Sequence, residues 1–72
     1  MEVEEKEILI KFGFRLKKIR QEKMVTQEKL AFSIGVEISQ ISRIERGIIN
    51  TSVLNLYKIA SSLEIPVKDL FE

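Results

Sequence analysis

Ile38, Ser39, Ser42 and Arg43 lie within six consecutive residues. On a helix, steps of three and four residues share a face, so these four would form one surface. A guanidinium can donate two hydrogen bonds to the N7 and O6 of guanine. Hydroxyls suit either purines or pyrimidines, and an apolar side chain can meet a thymine methyl. With Arg46, the set is too small and too short to serve as a charged solubilising face. Its chemistry is that of reading base edges in duplex DNA. Two alternatives stay open: Arg43 could hold a phosphate instead, and Ile38 could be partly buried against Ser42 or a partner. Catalytic chemistry has no comparable basis. The chain contains no His and no Cys, which removes the commonest general base, the commonest metal ligand, disulfides and thiolate metal sites. No cluster of nucleophile, base and oxyanion donor is visible, so no enzyme, metal or cofactor is expected.

Base-edge chemistry requires a helix that can enter a groove. Residues 27–47 read QEKLAFSIGVEISQISRIERG. Counted from Gln27, the apolar Leu30, Ile34, Val36, Ile41 and Ile44 fall at positions 4, 8, 10, 15 and 18. This is the pattern of two amphipathic helices crossing after a short turn, a helix-turn-helix whose second helix enters the major groove. Ala31 permits the close approach that the crossing needs. Gly35 stands where the first of the two helices must stop and the chain must turn left-handed. Ile34 and Val36 flank the turn, and Ile41 and Ile44 form the inner face of the second helix.

The remaining elements follow from periodicity. A first helix is expected from about Glu5 to Lys23, with a core stripe of Ile8, Phe12, Leu16 and Ile19. Gly13 lies inside it at a cost of about 1 kcal/mol relative to Ala, which implies close packing of another backbone. Ile10 and Phe14 form a second apolar pair, for intramolecular packing or for an interface. Thr26 can cap the second helix. The third helix should run from about Ile38 to Arg46 and end at Gly47. Ser52 can cap a fourth, carrying Val53, Leu56, Ile59, Ala60 and Leu63. Pro66 opens a short last helix through Phe71.

Seventy-two residues make one domain with a limited core. Residues 1–7 read as an acidic N-terminal extension without the shape of a signal peptide. No apolar run approaches the 18 or more residues of a membrane span, so a cytoplasmic location is expected. The net charge is only +1, but it is unevenly placed. Residues 1–10 hold four Glu and one Lys, whereas residues 11–46 hold nine Lys or Arg and four Glu. The motif therefore sits in a basic block, and a local patch is what phosphates sense. Lys23 and Arg15 are phosphate candidates; Lys17 and Lys18 fit a solvated helix face.

The chain resembles the lambda-repressor/Cro-type helix-turn-helix proteins, often called the Xre family. The resemblance covers Phe12 to about Phe71. It includes RLKKIR at 15–20, TQEKLA at 26–31, SRIERG at 42–47 and LYKIASSLEIPVKDLF at 56–71. It implies an all-α, compact five-helix domain that binds a double-stranded DNA operator as a two-fold dimer. It also implies that Gln27 contacts a phosphate and buttresses the recognition helix, and that Arg46 and Asn50 touch the sugar-phosphate backbone. Arg20 and Glu45 match a salt bridge between the first and third helices. The C-terminal helices would supply the dimer contacts, with Leu63, Ile65, Val67, Leu70 and Phe71 available. Three positions depart from the pattern. Met24 replaces a usual glycine, Thr51 replaces a common proline, and Glu37 stands where Ser, Thr or Asp usually caps the recognition helix. Ile38 occupies a position that is often a polar base-reader.

The expected function is transcriptional regulation by occupancy of a short inverted repeat, blocking RNA polymerase or recruiting it by contact. Phage repressors, restriction–modification controller proteins and antitoxin-type regulators share the layout. The competing class is a protein-interaction scaffold without DNA binding; a DNA-binding fragment of a larger regulator is a further alternative.

Overall fold

A computed structural model describes residues 3–71. Met1, Glu2 and Glu72, including the start of the acidic extension, lie outside the described residues. The order of elements is α1 (Val3–Glu22), α2 (Gln27–Ile34), α3 (Ile38–Glu45), α4 (Val53–Ser62) and a terminal 3₁₀ helix (Val67–Leu70). The fold is all-helical, but the expected fifth α-helix is a single 3₁₀ turn. Pro66 opens that turn, and the Asp69 N–H bonds the Pro66 carbonyl at 3.0 Å. α1 begins at Val3, two residues before the expected start near Glu5, and so takes in residues 3–7 of the acidic N-terminal segment.

The core gathers Leu16 and Ile19 from α1, Leu30, Ala31 and Ile34 from α2, and Ile41 and Ile44 from α3. Ile59 and Ala60 of α4 close it together with Leu63 and Leu70. Of the apolar residues expected to pack inward, Leu56 is only half-buried and two others are exposed. Ile8 is 66% exposed and Val53 is exposed on α4. The inward stripe of α1 passes instead through half-buried Leu9 and Phe12 to Leu16. Ile10 abuts the backbone at Gly47, where an added Cβ would lie 2.6 Å from the Ile10 Cα. Phe14 remains 69% exposed.

All four helices end in the same way. The N–H two or three residues beyond each helix's last residue bonds back five residues: Val25 to Arg20, Val36 to Ala31, Ile48 to Arg43 and Ile65 to Ala60. The preceding residue takes the left-handed conformation in each case. Gly35 and Gly47 do so at φ 76° and 73° without a Cβ penalty. Met24 and Glu64 do so at 60° and 58° and carry the strain. Met24 therefore keeps the chain reversal that a glycine would make more cheaply.

Gly13 shows the opposite use of glycine. It is buried within α1, against the end of α3. A Cβ there would sit 2.5 Å from the Glu45 carbonyl oxygen. The missing side chain is what lets α1 and α3 meet backbone to backbone.

Candidate DNA interface

The exposed face of α3 is assembled by helical phase. Ile41, Ile44 and Glu45 are buried, which turns Ser39, Arg43 and Arg46 outward. Ile38 is 48% exposed and Ser42 half-buried. Ile38, Ser39, Ser42 and Arg43 therefore share one accessible surface. Gln40, passed over in the sequence reading, flanks this surface half-buried. An amide in the first turn of such a helix is the signal that could have flagged it, since Gln can bond adenine bidentately. Glu37 precedes α3 with an extended backbone and makes no side-chain cap bond. Its position still puts a negative charge next to the positive end of the α3 dipole.

A buried ionic fork holds α3 in place. Arg20 Nε donates to Glu45 Oε2 at 2.6 Å, and Arg20 Nη2 donates to Oε1 at 3.0 Å. Both residues are only 7% exposed. Arg20 Nη1 donates to the Val25 carbonyl at 2.8 Å, and Gln27 Nε2 donates to Glu45 Oε1 at 2.9 Å. One carboxylate on α3 thus ties together α1, the turn after it and the start of α2. Among the described residues, no buried side-chain nitrogen or oxygen lacks a partner. Such a network fixes the height and roll of α3 against the body. Thr26 accepts from the Lys29 N–H at 3.0 Å and caps α2, which sets Gln27 at the first turn, half-buried beside Glu45.

The basic candidates divide. Arg46 is exposed at the end of α3, with its Nε turned back to the Ser42 carbonyl at 3.4 Å. Lys23 is exposed at the end of α1. Asn50 is exposed, and its Oδ1 accepts from the Thr51 N–H at 2.9 Å, shaping the loop into α4. Ser52 caps α4 by accepting from the Asn55 N–H at 3.0 Å. Arg15 does not join this group. Its Nε donates to the Asp69 carbonyl at 2.9 Å, so it braces α1 against the 3₁₀ turn and is withdrawn as a phosphate ligand. The dimer set is also reduced. Leu63 and Leu70 are 2% and 0% exposed, so they belong to the monomer's core. Ile65 and Val67 are half-buried at its edge. Phe71 rests against Phe12, ring centroids 5.3 Å apart.

A helix-turn-helix family model matches residues 16–70, which include the whole α2–turn–α3 unit, α4 and the last turns of α1. The chain belongs to the helix-turn-helix family of DNA-binding regulators. Control protein C.MunI of Mycoplasma sp is 42% identical over 66 residues, covering 90% of this chain and 89% of that one. Control protein C.BamHI of Bacillus amyloliquefaciens is 41% identical, covering 90% and 82%. The crystal structure of the restriction-modification controller protein C.AhdI from Aeromonas hydrophila superposes with a TM-score of 0.85. It is 43% identical, covering 88% of this chain and 96% of that one. This helix-turn-helix chain therefore shares nearly its full described length with each of these three proteins. No helix among its described residues is long and apolar enough to cross a membrane.

Proposed function

We propose that this chain is a cytoplasmic transcriptional regulator of the restriction–modification controller type. It binds a short inverted-repeat operator as a two-fold dimer and acts by occupancy, not by catalysis. The observation that carries this reading is the α3 surface. Ser39 and Arg43 project from a helix whose position is set by the buried Arg20–Glu45–Gln27 network. Rigid support is what base reading demands, because hydrogen bonds to base edges tolerate little misplacement. Ile38, Ser39, Ser42 and Arg43 read bases in this proposal. Gln27, Arg46, Asn50 and Lys23 meet phosphates.

A two-fold dimer spaces its recognition helices about 34 Å apart, one turn of duplex. The second copy meets the first at the C-terminal edge, where Ile65 and Val67 remain partly accessible. A dimer seated over a promoter excludes RNA polymerase; one seated beside it is placed to touch RNA polymerase.

Selection of bound duplexes from a random-sequence pool tests the proposal. The expected result is an enriched inverted repeat, with affinity that falls as salt rises. Absence of enrichment at low salt would return the chain to the class of interaction scaffolds.

A further inference from the structure

Between α1 and the 3₁₀ turn lies an open groove of about 370 Å³ that the DNA-binding reading leaves unused. Ile8, Phe12, Phe14 and Phe71 line it, and Lys11 and Lys18 stand at its edges. Three of the four apolar residues are mostly exposed: Ile8 66%, Phe14 69% and Phe71 57%. The cations are three in number with Arg15, and among the described residues no acidic side chain lines the groove.

These cations are not placed to serve α3. Gly13 packs on the end of α3, and Arg20 bonds Glu45. Lys11 and Arg15 are each two residues from Gly13, and Lys18 is two residues from Arg20. At 3.6 residues per turn, two residues are about 200° of rotation. The basic rim therefore faces away from the recognition helix. A phosphate backbone would also leave the apolar floor uncovered.

We propose that this groove docks an acidic amphipathic helix from a partner protein. Apolar side chains of the partner, spaced three and four apart, would cover Phe12, Phe14 and Phe71. Its Asp and Glu residues would face Lys11 and Lys18, whose aliphatic stems form the upper walls. Ile8 and Lys18 are ten residue steps apart on α1, about 15 Å, which accommodates about three turns of the partner. Charge complementarity of this kind selects partners and speeds encounter. The chain's own acidic residues Glu4, Glu5 and Glu7 cannot fill the site in the same molecule, because they continue the straight helix that forms one wall.

The probe is a twelve-residue synthetic helix with Leu on one face and Glu on both flanks, titrated into the full chain and followed by amide NMR shifts. A second peptide carries Lys in place of every Glu. The acidic peptide is expected to saturate, shifting residues 8–18 with Leu70 and Phe71 while α3 stays unmoved. The Lys peptide should bind at least about tenfold more weakly. Lys18→Glu and Phe14→Ser, both at exposed positions, should weaken the acidic peptide about threefold and about tenfold respectively. Both variants should retain DNA binding, whereas Arg43→Ala should retain the peptide and change the DNA preference. The two readings thus fail separately. Equal binding of both peptides, shifts centred on α3, or no saturation at millimolar peptide would overturn the proposal. Groove shifts that depend on protein concentration without peptide would overturn it in favour of a second copy.

Discussion

Replacing Gly13 with Ala sets two opposed effects against each other. In an isolated helix the change should stabilise α1 by about 1 kcal/mol. In this fold the new Cβ meets the Glu45 carbonyl oxygen at 2.5 Å, roughly 0.9 Å short of ordinary van der Waals contact. The obstacle is backbone, so no side-chain rotation relieves it, and α1 and α3 must separate. Ile41 and Ile44 are almost fully buried behind that contact, each stabilised by about 1.5–3 kcal/mol of burial. A gap of 0.5–1 Å forfeits roughly a quarter to a half of the dispersion well, so the pair loses about 1–3 kcal/mol. Stretching the 2.6 Å Arg20–Glu45 bond costs about 1 kcal/mol more. The net expectation is a loss of about 2 kcal/mol. For a domain of this size, that lowers Tm by about 8–16 °C. Thermal and urea melts of the full chain followed by circular dichroism would measure it. Gly35→Ala is the control: its Cβ meets nothing within 4 Å, so only the φ of 76° is strained, at about 1 kcal/mol. A Gly13→Ala protein as stable as the parent would refute the claim that backbone contact sets the α1–α3 distance.

Other consequences can be measured on the same material. Glu45→Ala leaves Arg20 buried without its carboxylate and should cost about 3–5 kcal/mol in a urea melt; near-parental stability would show the fork to be dispensable. Met24→Gly relieves a left-handed methionine and should raise stability by about 1 kcal/mol; a lower Tm would mean that the exposed side chain contributes elsewhere. Against single-base operator variants, Arg43→Ala should relax preference at one base pair, by about 1–3 kcal/mol of discrimination. Arg46→Ala should weaken every sequence alike and lower the salt slope by about one, and a uniform loss for Arg43→Ala would exclude it from base reading.

Much of the architecture was legible from spacing. Ala31, Gly35 and the Ile41–Ile44 pair were sufficient to place a crossing of two helices, because close approach and a left-handed turn tolerate few residue types. Thr26 and Ser52 announced the starts of α2 and α4 through local hydroxyl caps. Gly13 signalled a close contact by its cost in a helix, although its partner, the end of α3, was not visible. The last element is a tighter and shorter helix than the spacing suggests. Pro66 marks a start, but the four residues after it close only a 3₁₀ turn, which suffices to bury Leu70.

The class of this protein is written in local spacing, since the α2–α3 pattern and the Ser39, Ser42 and Arg43 face depend on helical phase within a few residues. Which apolar and basic residues are free to act is set by long-range packing. Ile8 and Leu9 differ by about 100° of helix rotation, and nothing local states that Leu9 is the half-buried one and Ile8 the exposed one. Leu63 and Leu70 look alike as core or interface until the other helices cover them. Arg15 and Lys23 carry the same charge, yet one reaches the Asp69 carbonyl and the other stays at the surface. Hydrophobicity and charge state what a side chain requires, and long-range packing determines which neighbour supplies it.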